Sequence, residues 1–268
     1  MVKSILGNFK RYSFLMSQLI SRDFKVKYKR SVLGVLWSIL QPILMMTVMA
    51  VVFSQMFKFK VDGINYLVYL MTGIVMFNYF SEATSNAMTS VVFNFGLINK
   101  VYIPKYIFPI AKCLFCGINF VLTLIPWFGI ILLSYFGLGE YTCHLNVWYI
   151  LIPYIFACFF FFALGIGMII SCVSVFLRDM FYIYSIILTI WSYLTPVFYS
   201  IEILPTKLQT LFKFNPLYLY ITGVRSIVLS GERPSLVQLG SMALVGFVTL
   251  LIGMLVFRKK QDKFIYYV

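Results

Sequence analysis

The ionisable side chains of this sequence are few, and their spacing does not suit catalysis. Among eight acidic residues, Glu82 alone falls clearly within a long apolar stretch, where a carboxylate marks either a functional site or a contact with neighbouring Ser, Thr and Asn side chains. His144 is the single histidine, and the C-x-x-C pair Cys113 and Cys116 lies in an apolar segment. The sequence has no glycine-rich phosphate loop. We therefore expect no catalytic residue, no metal site and no ATP hydrolysis by this chain itself.

Long stretches without charge separate these few ionisable residues. Such runs lie between Arg30 and Lys58 and between Lys112 and Glu140, and the chain of 268 residues is 62% hydrophobic and 11% charged. A helix needs about 20 apolar residues to cross a bilayer core of about 30 Å. The sequence predicts an all-α integral membrane protein that forms a single transmembrane domain over 1–268. Its six transmembrane helices are expected near 33–57, 64–92, 108–136, 148–176, 180–200 and 236–257.

The basic residues predict which side of the membrane each connection faces. Sixteen of the 22 Lys and Arg residues fall in the N-terminal segment 1–32, beside the connections after the second and fourth spans, and in the tail 258–268. Cytoplasmic connections of membrane proteins carry the excess of Lys and Arg. We therefore expect both termini in the cytoplasm and a plasma-membrane location. The net charge of +14 then serves contact with anionic membrane lipid rather than nucleic acid.

Two segments outside the spans have an unusual composition. Residues 13–30 place Leu19 and Phe24 on one half of a helical wheel and basic residues on the other, although Asp23 falls in the apolar half. This pattern predicts an amphipathic interface helix along the cytoplasmic leaflet, with a simple orienting anchor as the alternative. Residues 195–235 are too apolar for an ordinary loop and are interrupted by prolines. We expect them to form re-entrant external helices between spans five and six.

Several stretches resemble one known family, and they occur in that family's order along nearly the whole chain. They read RDFKVKYKRSVLGVLW from Arg22, NKVYIPK from Asn99, FLRD from Phe176, LTPVFY from Leu194, NPL from Asn215, and the basic tail 258–268. These stretches resemble permeases of type-2 ABC exporters, in the branch that exports lipid-linked polysaccharides such as O-antigen and teichoic acid.

This resemblance implies partners. Members of the family form homodimers and bind two separate ATP-binding cassette ATPase subunits, which hold ATP and Mg²⁺, so that no cofactor is expected in this chain. The connection around 94–105 would dock into the ATPase, whereas a solvated loop is the alternative. The residues implied for ATPase coupling are Asn99, Lys100, Tyr102, Ile103, Pro104, Lys105, Arg178 and Asp179.

The resemblance also implies sites for the lipid-linked polysaccharide. Aromatic rings are rigid, partly polar platforms that suit sugar rings, although interfacial belts and ordinary packing also use them. The candidate channel residues, on the first, second and fifth predicted spans, are Trp37, Gln41, Tyr79, Trp191, Tyr193, Phe198 and Tyr199. The candidate contacts for a lipid diphosphate headgroup, which would otherwise serve orientation only, are Arg22, Lys25, Lys27, Lys29 and Arg30.

Together these features predict the membrane subunit of an ATP-driven exporter that moves a polyprenyl-diphosphate-linked polysaccharide across the plasma membrane. One alternative is a related permease for drugs or small lipids. A multipass enzyme acting on lipid-linked sugars would need paired acids or a histidine at one membrane face, and an ion-coupled flippase would need several buried charges. The sequence offers neither arrangement, and it leaves the identity of the polymer open.

Overall fold

The computed structural model describes residues 12–29, 31–52, 65–98, 103–136, 143 and 145–267. These residues form helices and connections, with no β-strand among them. The helices are α1 (Ser13–Tyr28), α2 (Trp37–Val52), α3 (Tyr66–Phe93), α4 (Ile107–Tyr135), α5 (Ile152–Phe176), α6 (Met180–Leu194), α7 (Thr206–Lys213), α8 (Pro216–Arg225) and α9 (Leu236–Lys260). Shorter helical turns lie at Gly34–Leu36, Phe95–Ile98, Val147–Leu151, Ile201–Ile203, Ser226–Ser230 and Gln261–Tyr266.

Three helical stretches within the described residues are long and apolar enough to cross a bilayer. They are Ile107–Tyr135, Val147–Phe176 and Leu236–Phe264, and two shorter apolar helices cover Gly34–Met45 and Met180–Leu194. The first three correspond to the spans predicted near 108–136, 148–176 and 236–257. The chain is therefore an all-helical integral membrane protein, as its composition predicts.

The fifth predicted span is shorter in the structure than in the prediction. The sequence predicts a helix over 180–200, but α6 has 15 residues and ends at Leu194. Thr195 takes an extended conformation, with φ −109° and ψ 126°, because the ring of Pro196 disfavours helical backbone at the residue before it. At 1.5 Å per residue, α6 is about 22 Å long, less than the bilayer core.

Helix α5 lies at the centre of the bundle, packed between α3 and α9. Glycines allow α5 and α9 to approach closely. A methyl group added at Gly253 would lie 2.5 Å from the carbonyl oxygen of Gly165, and one added at Gly246 would lie 2.5 Å from that of Cys158. Small residues at such crossings let helix backbones pack tightly where apolar burial alone provides little driving force.

The N-terminal helix α1 packs its apolar stripe against the bundle. A helix forms at the predicted position, and Met16 and Leu19 of its apolar half are buried, while Val26 from the same half of the helical wheel is exposed. The Asp23 carboxylate, which interrupts the apolar half, lies 2.8 Å from the Lys112 ammonium of α4. This acidic residue therefore joins α1 to the bundle by an ion pair.

The segment 195–235 folds into α7, α8 and short turns around one buried cation. The Arg225 guanidinium donates to the carbonyl oxygens of Pro196 (2.7 Å), Val197 (3.0 Å) and Tyr69 (2.9 Å). It also lies 3.4 Å from the centroid of the Tyr69 ring, in a space that the absence of a side chain at Gly73 leaves open. These contacts attach the irregular backbone after α6 to α3 and α8.

Candidate functional site

A cavity of about 520 Å³, lined by both polar and apolar side chains, opens between α1, α2, α3 and α4. We call it the α1–α4 cavity. From α1 and α2 it is lined by Lys27, Tyr28, Trp37, Ser38, Gln41, Pro42 and Met45. From α3 it is lined by Ile74, Val75, Asn78, Tyr79, Ser81, Glu82, Ser85 and Asn86, and from α4 by Cys116, Asn119, Phe120 and Thr123. Hydroxyl groups, amide groups and aromatic rings therefore all line this cavity.

The charges that line this cavity are joined in one ion pair. The Lys27 ammonium donates to Glu82 Oε1 at 2.9 Å, and both side chains are 39% exposed. Burial lowers the pKa of Lys27, but the hydrogen bond and the negative charge of Glu82 outweigh it and raise that pKa above its ordinary value. Lys27 is therefore charged at neutral pH, and Glu82 has a specific partner on α1.

Two buried polar groups on the cavity wall have no hydrogen-bond partner in the described part of the chain. These groups are the Asn119 amide nitrogen Nδ2 and the Tyr79 hydroxyl. The other end of the Asn119 side chain is bonded, because Oδ1 accepts from the Tyr28 hydroxyl at 3.1 Å, and that hydroxyl also pairs with Ser38 Oγ. Asn119 is thus held in one orientation with its donor free.

A second cleft, of about 600 Å³, separates α3 from α6. Its polar lining consists of Ser81, Ser85, Asn86, Thr89, Tyr184, Ser185, Thr189 and Ser192. Ser81, Ser85 and Asn86 line the α1–α4 cavity as well. One polar strip of α3, which we define by these three residues, is therefore open on both of its sides.

The structure brings together some of the predicted channel residues. Trp37, Gln41 and Tyr79 meet in the α1–α4 cavity. Trp191 instead donates through Nε1 to Asn215 Oδ1 at 3.0 Å and packs edge-on against Phe80.

The other three predicted channel residues lie near the end of α6, with Tyr193 inside the helix and Phe198 and Tyr199 after it. Tyr193 is exposed, and its carbonyl accepts from the Tyr199 hydroxyl at 2.6 Å. Phe198 packs against the core, and its carbonyl accepts from the Tyr66 hydroxyl.

The basic residues of α1 fall into two groups. Arg22 contacts Asp23 and Asn94, and Lys27 contacts Glu82, so both lie against the bundle. Lys25 and Lys29 are exposed, and Arg30 lies outside the described residues.

Five of the implied coupling residues lie in the described part of the chain. Ile103 is buried within this chain, with Pro104 partly buried beside it. The Lys105 ammonium donates to the Gln261 carbonyl at 2.6 Å, and burial lowers the pKa of Lys105. Arg178 and Asp179 form an exposed turn between α5 and α6. The remaining three, Asn99, Lys100 and Tyr102, lie outside the described residues.

Two polar residues that are important in the structure, Asn119 and Arg225, were not predicted from the sequence. Asn119 carries no motif, and its position among apolar residues of α4 was its one signal. Arg225 lies outside the predicted spans, but it is the single charged residue between Lys213 and Glu232, and an isolated charge among apolar residues requires a specific partner. Within the described residues, no three His, Cys, Asp or Glu side chains lie close enough to hold a metal ion.

Comparison with known proteins is consistent with this architecture. The chain is 27% identical over 250 residues to an O-antigen export system permease protein of Klebsiella pneumoniae, with 93% of each chain covered. It is 25% identical over 257 residues to a protein of the same description from Myxococcus xanthus, with 95% of each chain covered. A polysialic acid transport protein of Escherichia coli is 23% identical over 261 residues, covering 96% of this chain and 97% of that one.

These relatives are transport proteins, in agreement with the prediction of a transport subunit rather than an enzyme. The sequence profile of the ABC-2 type transporter family matches residues 15–229, most of the chain. The resemblance drawn from the motifs is thus confirmed, and this chain belongs to the ABC-2 type transporter family.

Proposed function

We propose that this chain is the membrane subunit of an ATP-driven exporter that moves a polyprenyl-diphosphate-linked polysaccharide across the plasma (inner) membrane. The observation that carries this proposal is the polar strip of α3, which is open towards α2 on one side and α6 on the other. Polar groups inside a membrane protein face protein or a water-filled path rather than lipid. A strip of hydroxyl and amide groups with clefts on both sides suits a ligand rich in hydroxyls.

In this proposal the chain crosses the membrane six times and has both termini in the cytoplasm. The spans are α2, α3, α4, α5, α6 and α9, and residues 195–235 re-enter from the outside. Arg225 supports the re-entrant arrangement, because its bonds to three carbonyl groups satisfy irregular backbone that would otherwise be unpaired in a low-dielectric setting. Basic residues of α1 and of the tail then face the cytoplasmic leaflet, as the positive-inside rule requires.

A second copy of the chain completes the path in this proposal. Ile183, Ile186 and Ile190 of α6 and Leu44 and Val48 of α2 are exposed apolar residues on the two helices that flank the polar strip. A second copy that packs against these faces would enclose the strip between the protomers. Trp37, Gln41 and Tyr79 would line the path, and Tyr193 and Tyr199 would stand at its outer end.

Energy would come from two ATPase subunits that hold ATP and Mg²⁺. The exposed Arg178–Asp179 turn and the segment 94–105 are the contacts that we assign to them. Ile103 is buried within this chain, so exposed residues rather than Ile103 would enter the ATPase. Lys105, which is tied to Gln261, would hold the segment against the bundle.

The test is export by the reconstituted complex. Proteoliposomes that contain this chain and its ATPase should move a lipid-linked polysaccharide inward on addition of external ATP. The double variant Ser81→Leu with Ser85→Leu should export at less than about a tenth of the normal rate, because leucine fills both clefts, yet it should still bind the ATPase. Ser241→Leu on α9 is the matched control and should export normally. Normal export by the double variant would show that the strip is not part of the path.

A further inference from the structure

We infer that the α1–α4 cavity is a binding site for an uncharged sugar unit and that it discriminates against acidic glycans. This inference rests on the proposed function, since it takes the sugar to be part of the exported polymer. It goes further by assigning the contact to one cavity within a single protomer and by stating the class of polymer. Residues of α1 and α4, outside the channel residues predicted from the sequence, are central to it.

The unpartnered groups of the cavity are the first observation. Asn119 is 2% exposed and Tyr79 is 5% exposed, and both line the cavity. A buried donor without a partner destabilises a protein, so such groups are rare unless water or a ligand satisfies them. Sugar hydroxyls can both donate and accept, and they can replace the hydrogen bonds of water at the same positions. Asn119 Nδ2 would donate to one hydroxyl and Tyr79 would pair with another.

The aromatic surfaces of the cavity are the second observation. The Tyr79 and Phe120 rings lie 4.7 Å apart between centroids, and Trp37 at the cavity edge keeps 43% of its surface exposed. Tyr79 and Phe120 are buried, so of these three rings it is Trp37 that offers an apolar face to the C–H face of a sugar while amides contact its hydroxyls. The volume of about 520 Å³ falls in the range of small-molecule sites, about 300–1,000 Å³.

The charge of the cavity sets the class of sugar. Lys27 and Glu82 are the charged residues among those that line it, and they neutralise each other at 2.9 Å. A carboxylate on the ligand that paired with Lys27 would lie beside the Glu82 carboxylate. Like charges at such separations repel, and desolvation increases the cost. A neutral sugar meets no such obstacle.

Binding to the full chain in lipid nanodiscs tests the inference. Isothermal titration calorimetry would compare mannotetraose, which is neutral, with a tetramer of sialic acid. The wild-type chain should bind mannotetraose and give no heat with the acidic tetramer. Tyr79→Phe should weaken mannotetraose binding about fivefold, the loss of one hydrogen bond of about 1 kcal/mol. Because this variant removes a hydroxyl that has no protein partner, it should fold as well as the wild type.

Matched variants distinguish binding in the α1–α4 cavity from effects of substitutions elsewhere in the protein. Tyr149→Phe removes another buried hydroxyl without a partner in the described part of the chain, but outside the cavity, and should leave the affinity unchanged. Glu82→Gln leaves Lys27 uncompensated and should make the acidic tetramer bind. The inference is overturned if mannotetraose does not bind, if both glycans bind equally, or if Tyr79→Phe and Tyr149→Phe behave alike.

Export by the wild-type complex distinguishes the two proposals. If that complex exports a lipid-linked polysaccharide while the binding results are negative, the proposed function holds and the sugar site is rejected. If the wild-type complex exports no polysaccharide, the proposed function fails independently of the binding results.

Discussion

Two regions of this protein bury polar groups among apolar helices. In one region these groups are hydrogen-bonded within the protein, and in the other some of them have no partner. Around 195–225, Arg225 contacts three carbonyl groups, and Asn215 both accepts from Trp191 and donates to Thr195. In the α1–α4 cavity, Asn119 and Tyr79 each leave one polar group unpaired within the described part of the chain. The first region uses its polar groups to hold irregular backbone. In the second, the Asn119 amide nitrogen and the Tyr79 hydroxyl are buried without a protein partner, and we assign that partner to a bound ligand.

The largest effect that would test this comparison is at Arg225. Arg225→Ala should lower the free energy of unfolding by roughly 3–5 kcal/mol, because three buried carbonyl groups lose their donor at once. Thermal denaturation of the detergent-solubilised chain measures this loss. Arg225→Lys should recover part of it, since an ammonium cannot reach all three carbonyl groups. Wild-type stability of Arg225→Ala would remove the structural role that we assign to this region.

The next largest effect is the difference between two asparagines. Asn215→Leu should cost about 2–4 kcal/mol, because it removes the acceptor for Trp191, a donor to Thr195, and the cap on the Leu217 amide. Asn119→Leu should cost only about 1 kcal/mol, because it removes one acceptor, that of the Tyr28 hydroxyl, while the amide nitrogen that it also removes has no protein partner. The same denaturation assay compares them, and equal losses would contradict the distinction.

A smaller difference in stability is expected between substitutions of two tyrosines, Tyr184 and Tyr79. The Tyr184 hydroxyl donates to Thr84 Oγ1 at 2.6 Å in a buried setting, so Tyr184→Phe should cost about 1 kcal/mol. Tyr79→Phe should stay within about 0.5 kcal/mol of wild type, because no hydrogen bond within the protein is lost. A loss for Tyr79→Phe as large as that for Tyr184→Phe would indicate a protein partner for the Tyr79 hydroxyl.

The smallest effect concerns the Lys27–Glu82 pair. Both side chains are 39% exposed, so Lys27→Met should cost no more than about 1 kcal/mol. The raised pKa of Lys27 means that this contribution is complete below the ordinary pKa of lysine and is lost as the pH rises through the raised value. Melting temperatures of wild type and Lys27→Met should therefore converge at high pH. A difference that is constant with pH would show that the charge of Lys27 does not stabilise the fold.

Much of the fold follows from the sequence, because its causes are local. Charge-free runs predicted the three long apolar helices, and the wheel pattern of 13–30 predicted α1. The end of α6 at Leu194 was missed, although Pro196 gave a local signal for it. The partner of Asp23 was not predictable, because Lys112 lies far along the chain.

Some features of the candidate site could likewise be predicted from the sequence, and others could not. Trp37, Gln41 and Tyr79 were singled out by residue type and by resemblance, and the structure places them in one cavity. The sequence did not indicate that Asn119 joins them, nor that Glu82 pairs with Lys27, because both facts depend on how α1 and α4 pack against α3.

By itself, the sequence determined that this is a helical membrane protein of the ABC-2 type transporter family, because hydropathy, charge distribution and motif order are properties of the chain. Only the tertiary structure decided which buried polar groups are satisfied. Asn119 and Asn215 both lie in apolar surroundings of the sequence, yet one amide is fully engaged and the other keeps a free donor. The physical reason is that a hydrogen bond requires a partner at about 3 Å with suitable direction, and packing of distant segments alone provides or withholds that partner.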